Sequence, residues 1–137
     1  MLSASDEVIS GVPYVYKVYK ERRLVLTTAF GVFCLADLLA YREQILKDPD
    51  FDPTYSQIAD FTQVRQVGIS GREVEQYAQF DLFSARSRRA LVAPTDVEYG
   101  LCRVFETVRE DRGEMGVRVF RTLDEALDWV IPKGATI

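Results

Sequence analysis

The sequence predicts a single α/β domain with a mainly parallel five-stranded sheet, an N-terminal hairpin edge and four helices. Three observations support this prediction. The 137 residues suit one domain, no linker or repeat divides the chain, and apolar spacing changes from strand to helix period and then alternates. Strands that alternate with helices require right-handed crossovers and parallel pairing. We expect the domain at 12–132, with a flexible N-terminus at 1–11 and a tail at 133–137.

The first two strands are predicted to form the antiparallel hairpin. Apolar and polar positions alternate over 14–19, which places Tyr14 and Tyr16 on the same face of a half-buried strand. A charged turn follows and leads into a second strand, Leu24 to Phe30. Gly31 is expected to break that strand.

A helix and a proline-containing loop follow the hairpin. The leucine spacing predicts the first helix over 35–46, and the loop Asp48–Pro53 stops it because proline cannot continue a helix. Three aspartates alternate in this loop, as at the start of a calcium-binding loop. However, Pro53 replaces the turn glycine and Ala59 replaces the bidentate glutamate of such a loop. We therefore expect no metal ion and no cofactor.

Three further helix starts carry the spacing of a capping box, in which a serine or threonine precedes a glutamate by three residues. The third helix is predicted to bury Val97, Leu101 and Phe105 on one face. The capping-box pairs are Ser70–Glu73, Thr95–Glu98 and Thr122–Glu125. Strands are predicted at Tyr55–Phe61, Arg89–Ala93 and Val117–Phe120.

Composition excludes several classes of function. The net charge of -4 argues against a nucleic-acid surface, which needs clustered basic residues. The chain has no histidine, the commonest general base at neutral pH. Its two cysteines suggest a reduced, intracellular protein, and the acidic start and the absence of a long apolar run argue against a signal peptide and a membrane-embedded segment. We expect a cytoplasmic protein that is not an enzyme.

Aromatic residues in the hairpin and near the second helix allow three interpretations. They fill the core by default, but they could instead line an apolar ligand pocket or form a homodimer surface at the open hairpin edge. The residues assigned to the possible pocket are Tyr16, Phe30, Phe33 and Phe80.

Arginines cluster just before the fourth strand. Arg86, Arg88 and Arg89 could hold a phosphate or an acidic partner through planar guanidinium groups. The more frequent role of such a cluster is a solvated strand entrance, and we adopt that interpretation here.

The order of elements, with Asp60 at the end of the third strand and Ser70-Gly71 at the next helix start, resembles the STAS domain. That domain occurs in anti-sigma-factor antagonists and in the tails of sulfate transporters. The resemblance is closest to the SpoIIAA-like, or STAS/SEC14-like, branch and extends from about Tyr14 to Val130. It rests on the stretches Tyr16-Lys17-Val18, Arg23-Leu24-Val25, Asp48–Pro53, Phe105-Glu106-Thr107 and Val119–Ala126.

The resemblance implies a site of action around the second helix. In antagonists the segment ends in Asp-Ser-Ser-Gly and a kinase phosphorylates the serine before the glycine, whereas here it reads Gly68-Ile69-Ser70-Gly71. Ser70 matches the phosphorylated position, but its spacing to Glu73 also suits a simple helix cap. The implied interaction surface consists of Asp60, Ser70, Gly71 and Arg72.

Two functional hypotheses follow from the resemblance. The first is a non-enzymatic STAS-like regulatory or protein-interaction domain, with an unknown protein partner. The second is a SEC14-like carrier of a small apolar ligand or lipid, with the aromatic residues around the ligand. An enzyme that uses Asp60 with Ser70 or Cys34 is a third possibility, but no base is available to activate either nucleophile.

Overall fold

The computed structural model describes residues 13–131 and has the predicted architecture. The expected flexible N-terminus and tail lie outside the described residues, as do residues 12 and 132 at the ends of the predicted domain. The strands are β1 (Tyr14–Tyr19), β2 (Leu24–Cys34), β3 (Ser56–Gly68), β4 (Arg89–Val92) and β5 (Val117–Phe120), and the helices are α1 (Leu35–Leu46), α2 (Gly71–Tyr77), α3 (Asp96–Asp111) and α4 (Leu123–Val130).

The five strands lie in chain order across one sheet. β1 pairs antiparallel with β2 through a short 3-10 turn, and every later neighbour is parallel. The predicted hairpin edge and parallel sheet are therefore confirmed. Parallel pairing follows from the connections, because α1, α2 and α3 each return the chain to the same end of the sheet.

The second and third strands continue beyond their predicted ends. The predictions that Gly31 breaks β2 and that β3 ends near Asp60 are both wrong. Gly31 lies inside β2 with a φ of 66°, a conformation that glycine adopts without strain, and two register shifts accompany it. β2 and β3 stay paired as far as Cys34 and Gly68, whereas β3 pairs with β4 only through Asp60. We call the projecting pair, 29–34 with 61–68, the ribbon.

The two faces of the sheet are covered unequally. Helices α1, α2 and α3 pack on one face, where aromatic and aliphatic side chains form two adjoining clusters that share Leu38 and Phe61. Of the described helices, α4 alone packs on the other face, around Ile58, Val92 and Ala126. The larger layer of helices is the one that leaves room for a site.

The three predicted capping boxes are confirmed, and both halves of each box form hydrogen bonds. One predicted buried position is wrong, because Val97 in the first turn of α3 is 64% exposed. Within residues 13–131, none of the helices combines the length and the apolar character that crossing a membrane requires.

Candidate functional site

An apolar cavity lies between the sheet and the three helices that cover it. Its volume is about 110 Å³, and its walls come from β1, β2, β3, β4, all three helices and the ribbon. The half-buried lining residues lie around the ribbon, α1 and α3, so the cavity reaches solvent on that side. These residues are Leu38, Phe61, Val64, Val67, Ile69 and Leu101.

One end of the cavity carries a hydrogen-bonded polar group. The Tyr41 hydroxyl lies 2.7 Å from the Thr27 hydroxyl, and the Gln57 side-chain amide donates to Tyr41 at 3.1 Å. Burial raises the pKa of Tyr41, so this phenol is neutral at pH 7. The polar atoms at this end are thus already engaged with one another.

The same network continues behind the cavity as a buried ion cluster. Arg89, which is 3% exposed, donates through Nε to Gln57 Oε1 at 3.0 Å and through Nη1 to both oxygens of Glu114. Arg109 donates to Glu114 and also to Asp81 at 2.8 Å. Two arginines therefore share one buried carboxylate, and the exposed Asp81 carboxylate pairs with the second positive charge.

The Arg109 guanidinium also joins the helices to the following loop. Its Nη1 donates to the carbonyl oxygens of Ala78 and Phe80, at 2.8 and 2.9 Å, just after α2 ends. These bonds satisfy carbonyls that the helix leaves without partners. The cluster therefore holds the segment between α2 and β4 in place.

Glu98 lies at the cavity on the first turn of α3 and is only 6% exposed. Its Oε1 accepts from the hydroxyl and the backbone N–H of Thr95, at 2.8 and 3.3 Å. Its Oε2 is buried and has no hydrogen-bond partner among residues 13–131. A buried acceptor without a donor destabilises a protein by about 1–3 kcal/mol. This oxygen is therefore the unsatisfied polar atom of the site.

Two further ionisable groups of the cavity wall are neutral. Burial raises the pKa of Cys102 to about 12, with the nearby Glu98 carboxylate as a second cause. Burial likewise raises the pKa of Tyr77 to about 12. Both groups keep their protons at pH 7, so the thiol and the phenol contribute surface rather than charge.

Only one of the four predicted pocket residues lines the cavity. Phe33 does so, on the ribbon. Tyr16 instead donates from its hydroxyl to Asp48 at 2.7 Å, Phe80 is 42% exposed beneath the Arg42 guanidinium, and Phe30 contributes to none of the core clusters. Of the predicted pocket residues, Phe33 therefore belongs to this cavity, and Tyr16, Phe30 and Phe80 do not line it.

The predicted interaction surface is only partly brought together. Ser70 and Arg72 are exposed, Gly71 is half-buried, and the Ser70 hydroxyl accepts from Glu73 N–H at 3.2 Å as a helix cap. Asp60 is 7% exposed and its Oδ1 accepts from Thr62 N–H. Gly68 lies eight positions after Asp60 along β3, roughly 26 Å of chain. Asp60 therefore does not belong to this surface.

The surface interpretation of the arginine cluster is wrong for one member. Arg86 and Arg88 are exposed as expected, but Arg89 belongs to the buried ion cluster. The sequence contains a signal for part of this site, since Gln57 is a polar residue directly before the apolar pair Ile58 and Ala59 of a predicted central strand. Such a residue needs a buried partner.

The comparisons with known proteins support the fold. No protein-family model and no curated protein matches this chain. A solved structure that is similar to it is an uncharacterized protein of the DUF3478 family from Shewanella loihica PV-4, described as having a SpoIIAA-like fold. The two chains are 16% identical, the alignment covers 85% of this chain and 93% of the other, and the TM-score is 0.52. The chain therefore has a SpoIIAA-like fold.

Proposed function

We propose that this domain binds one small, mainly apolar molecule in the cavity and does so without catalysis. The observation that carries the proposal is an open cavity with almost entirely apolar walls in the middle of the larger helical layer. Ligand sites are typically concave and apolar, with a few polar groups that fix orientation. The Glu98 carboxylate and the Tyr41 end match this description.

The volume limits the size of the ligand. The cavity measures about 110 Å³, and an engineered apolar cavity of about 150 Å³ in another protein holds benzene. We therefore expect an aromatic ring or a short alkyl group, with any larger part outside the opening. This size argues against complete enclosure of a lipid, so it narrows the carrier hypothesis to small molecules.

The residues of the cavity support binding rather than chemistry. The chain contains no histidine, and the buried Cys102 thiol, with a pKa of about 12, is almost never the reactive thiolate at pH 7. A nucleophile needs an adjacent base or a lowered pKa to act.

Calorimetric titration with toluene tests the proposal. We expect binding to the unmodified protein and loss of binding in Ala59→Leu and in Cys102→Leu, which fill the cavity from β3 and from α3. Val97→Leu is the matched control, because it enlarges an exposed side chain on the same helix. Native mass spectrometry of gently purified protein adds a search for a bound natural ligand. Failure of toluene and of polar aromatic probes of the same size to bind would overturn the proposal.

The protein-interaction role that the resemblance implies stays a prediction. Ser70→Ala and Ser70→Asp, compared in affinity capture from native lysate, test its switch version. An unchanged set of partners would contradict a phosphoswitch at Ser70.

A further inference from the structure

We propose that the ligand carries one hydrogen-bond donor, a hydroxyl or an amine, and that Glu98 Oε2 accepts it. This inference rests on the proposed function and names the chemical class of the ligand. An apolar body would fill the cavity, and its single polar hydrogen would reach the carboxylate.

The first step of the argument is the burial of the carboxylate. Glu98 is 6% exposed and lines the cavity, and its Oε2 has no donor among residues 13–131. A carboxylate oxygen has about two acceptor sites, and buried polar atoms are nearly always bonded. A ligand donor supplies the missing bond.

The second step is the contrast with the other helix caps. Glu125 forms the same capping box with Thr122, through bonds of 3.1 and 3.2 Å to Oε1, but it is exposed and water can reach its other oxygen. Helix capping therefore requires one glutamate oxygen and does not require burial of the second. The burial of Glu98 at the cavity is the feature that capping leaves unexplained.

The third step is that the part of the chain described by the structure supplies no competing donor to this oxygen. The polar groups at the other end are already paired: Gln57 donates to Tyr41, and Arg89 donates to Gln57 and Glu114. Cys102 is the neighbour of Glu98 on the cavity wall, and a thiol is a weak donor. Glu98 on the cavity wall thus keeps one acceptor oxygen that receives no donor from the described residues.

The charge of the carboxylate determines which ligand groups it attracts and which it repels. A carboxylate attracts a neutral hydroxyl and, more strongly, a protonated amine, whereas it repels a ligand carboxylate. An acceptor-only ligand would place two lone pairs against each other.

The test compares four probes of similar size on the full chain by calorimetric titration. Phenol and aniline each carry a donor, toluene carries a methyl group in its place, and benzonitrile is an acceptor only. We expect phenol to bind at least about ten-fold more tightly than toluene, because a hydrogen bond to a charged group is strong and a site built for one disfavours the analogue without it. Aniline is neutral at pH 7, so its comparison with phenol distinguishes an uncharged amine from a hydroxyl as the preferred donor.

Glu98→Gln is the decisive variant, since glutamine keeps an oxygen for the Thr95 cap and turns the second atom into a donor. We expect benzonitrile to bind more tightly to Glu98→Gln than to the unmodified protein, and the preference for phenol over toluene to fall. Glu125→Gln is the matched control, with the same capping bonds away from the cavity, and should leave all four affinities unchanged.

The outcomes separate the two proposals. Equal binding of phenol and toluene, with loss of both in Ala59→Leu, would overturn the role of Glu98 and leave the proposed function intact. Failure of all four probes to bind would overturn both. The comparison of phenol with toluene uses the unmodified protein, so the inference stays testable even where Glu98→Gln does not fold.

Discussion

Glu98 and Glu114 are both buried glutamates, 6% and 2% exposed, but their surroundings differ. Glu114 receives hydrogen bonds from Arg89 and Arg109 on both oxygens, so its charge is balanced inside the protein. Glu98 lines the cavity and receives bonds on one oxygen, whereas its other oxygen has no partner within 13–131. The difference teaches that burial alone does not decide whether a carboxylate is structural or remains open to a ligand. The number of protein donors that its oxygens receive decides this.

The largest effect is expected from Glu114→Gln, because it removes the charge that two buried arginines share. Breaking a buried ion pair from one side destabilises a protein by about 3–5 kcal/mol. We expect a loss of that order in the free energy of unfolding, measured by urea denaturation at pH 7. A loss below about 1 kcal/mol would contradict the structural role of Glu114.

A smaller effect is expected from the loss of a helix cap. Thr122→Ala should lower the free energy of unfolding by about 1 kcal/mol, the usual contribution of a threonine cap. Thr95→Ala should lower it by about 2 kcal/mol, because Glu98 Oε1 then also loses the hydroxyl donor and keeps only the longer bond from the backbone N–H of residue 95. Equal losses in the two variants would contradict the description of Glu98 as a buried carboxylate short of donors.

Glu98→Gln, unlike Glu114→Gln, should not lower the free energy of unfolding. A neutral amide is easier to bury than a carboxylate, and glutamine keeps the oxygen that serves the cap. We therefore expect the free energy of unfolding to stay the same or rise by up to about 1 kcal/mol in the absence of ligand. Urea denaturation beside Glu125→Gln checks this, and a loss above about 2 kcal/mol would mean that Glu98 is structural.

The smallest effect concerns pH. The hydrogen bond from Arg109 lowers the pKa of Asp81 below its ordinary value of 3.8, so Asp81 stabilises the fold above that value. This contribution is lost as the pH falls through the lowered folded-state pKa. Asp81 is 72% exposed, and solvent screens the interaction. Asp81→Asn should therefore reduce the change in urea midpoint between pH 5 and pH 2 only slightly, and an unaltered change would show that the Asp81–Arg109 bond does not stabilise the fold.

Local sequence signals were sufficient for most of the fold. The three capping boxes place α2, α3 and α4, because a cap depends on residues only three positions apart. The ribbon was missed for a physical reason. Phe61, Val64 and Val67 line the cavity at a spacing of three residues. Register shifts interrupt the period of two residues by which a strand is recognised in a sequence.

The candidate site was harder to predict, because its contacts are long-range. Arg89 looks like a surface residue until Glu114, 25 positions away, is placed beside it. The spacing of Glu98 to Thr95 accounts for one carboxylate oxygen and says nothing of the other. The environment of that second oxygen depends on how α3 packs over the sheet, which no local pattern specifies.

The ribbon has a consequence for kinetics. Past Asp60, β3 is bonded to β2 on one side and pairs with no other strand among residues 13–131. Its outward amides therefore lack a sheet partner, and we expect deuterium uptake over 61–68 to be faster than in β4. Phe61, Val64 and Val67 form the wall of the cavity there. Ribbon opening would then govern how quickly a ligand enters and leaves, so residence time and affinity can be tuned by different residues.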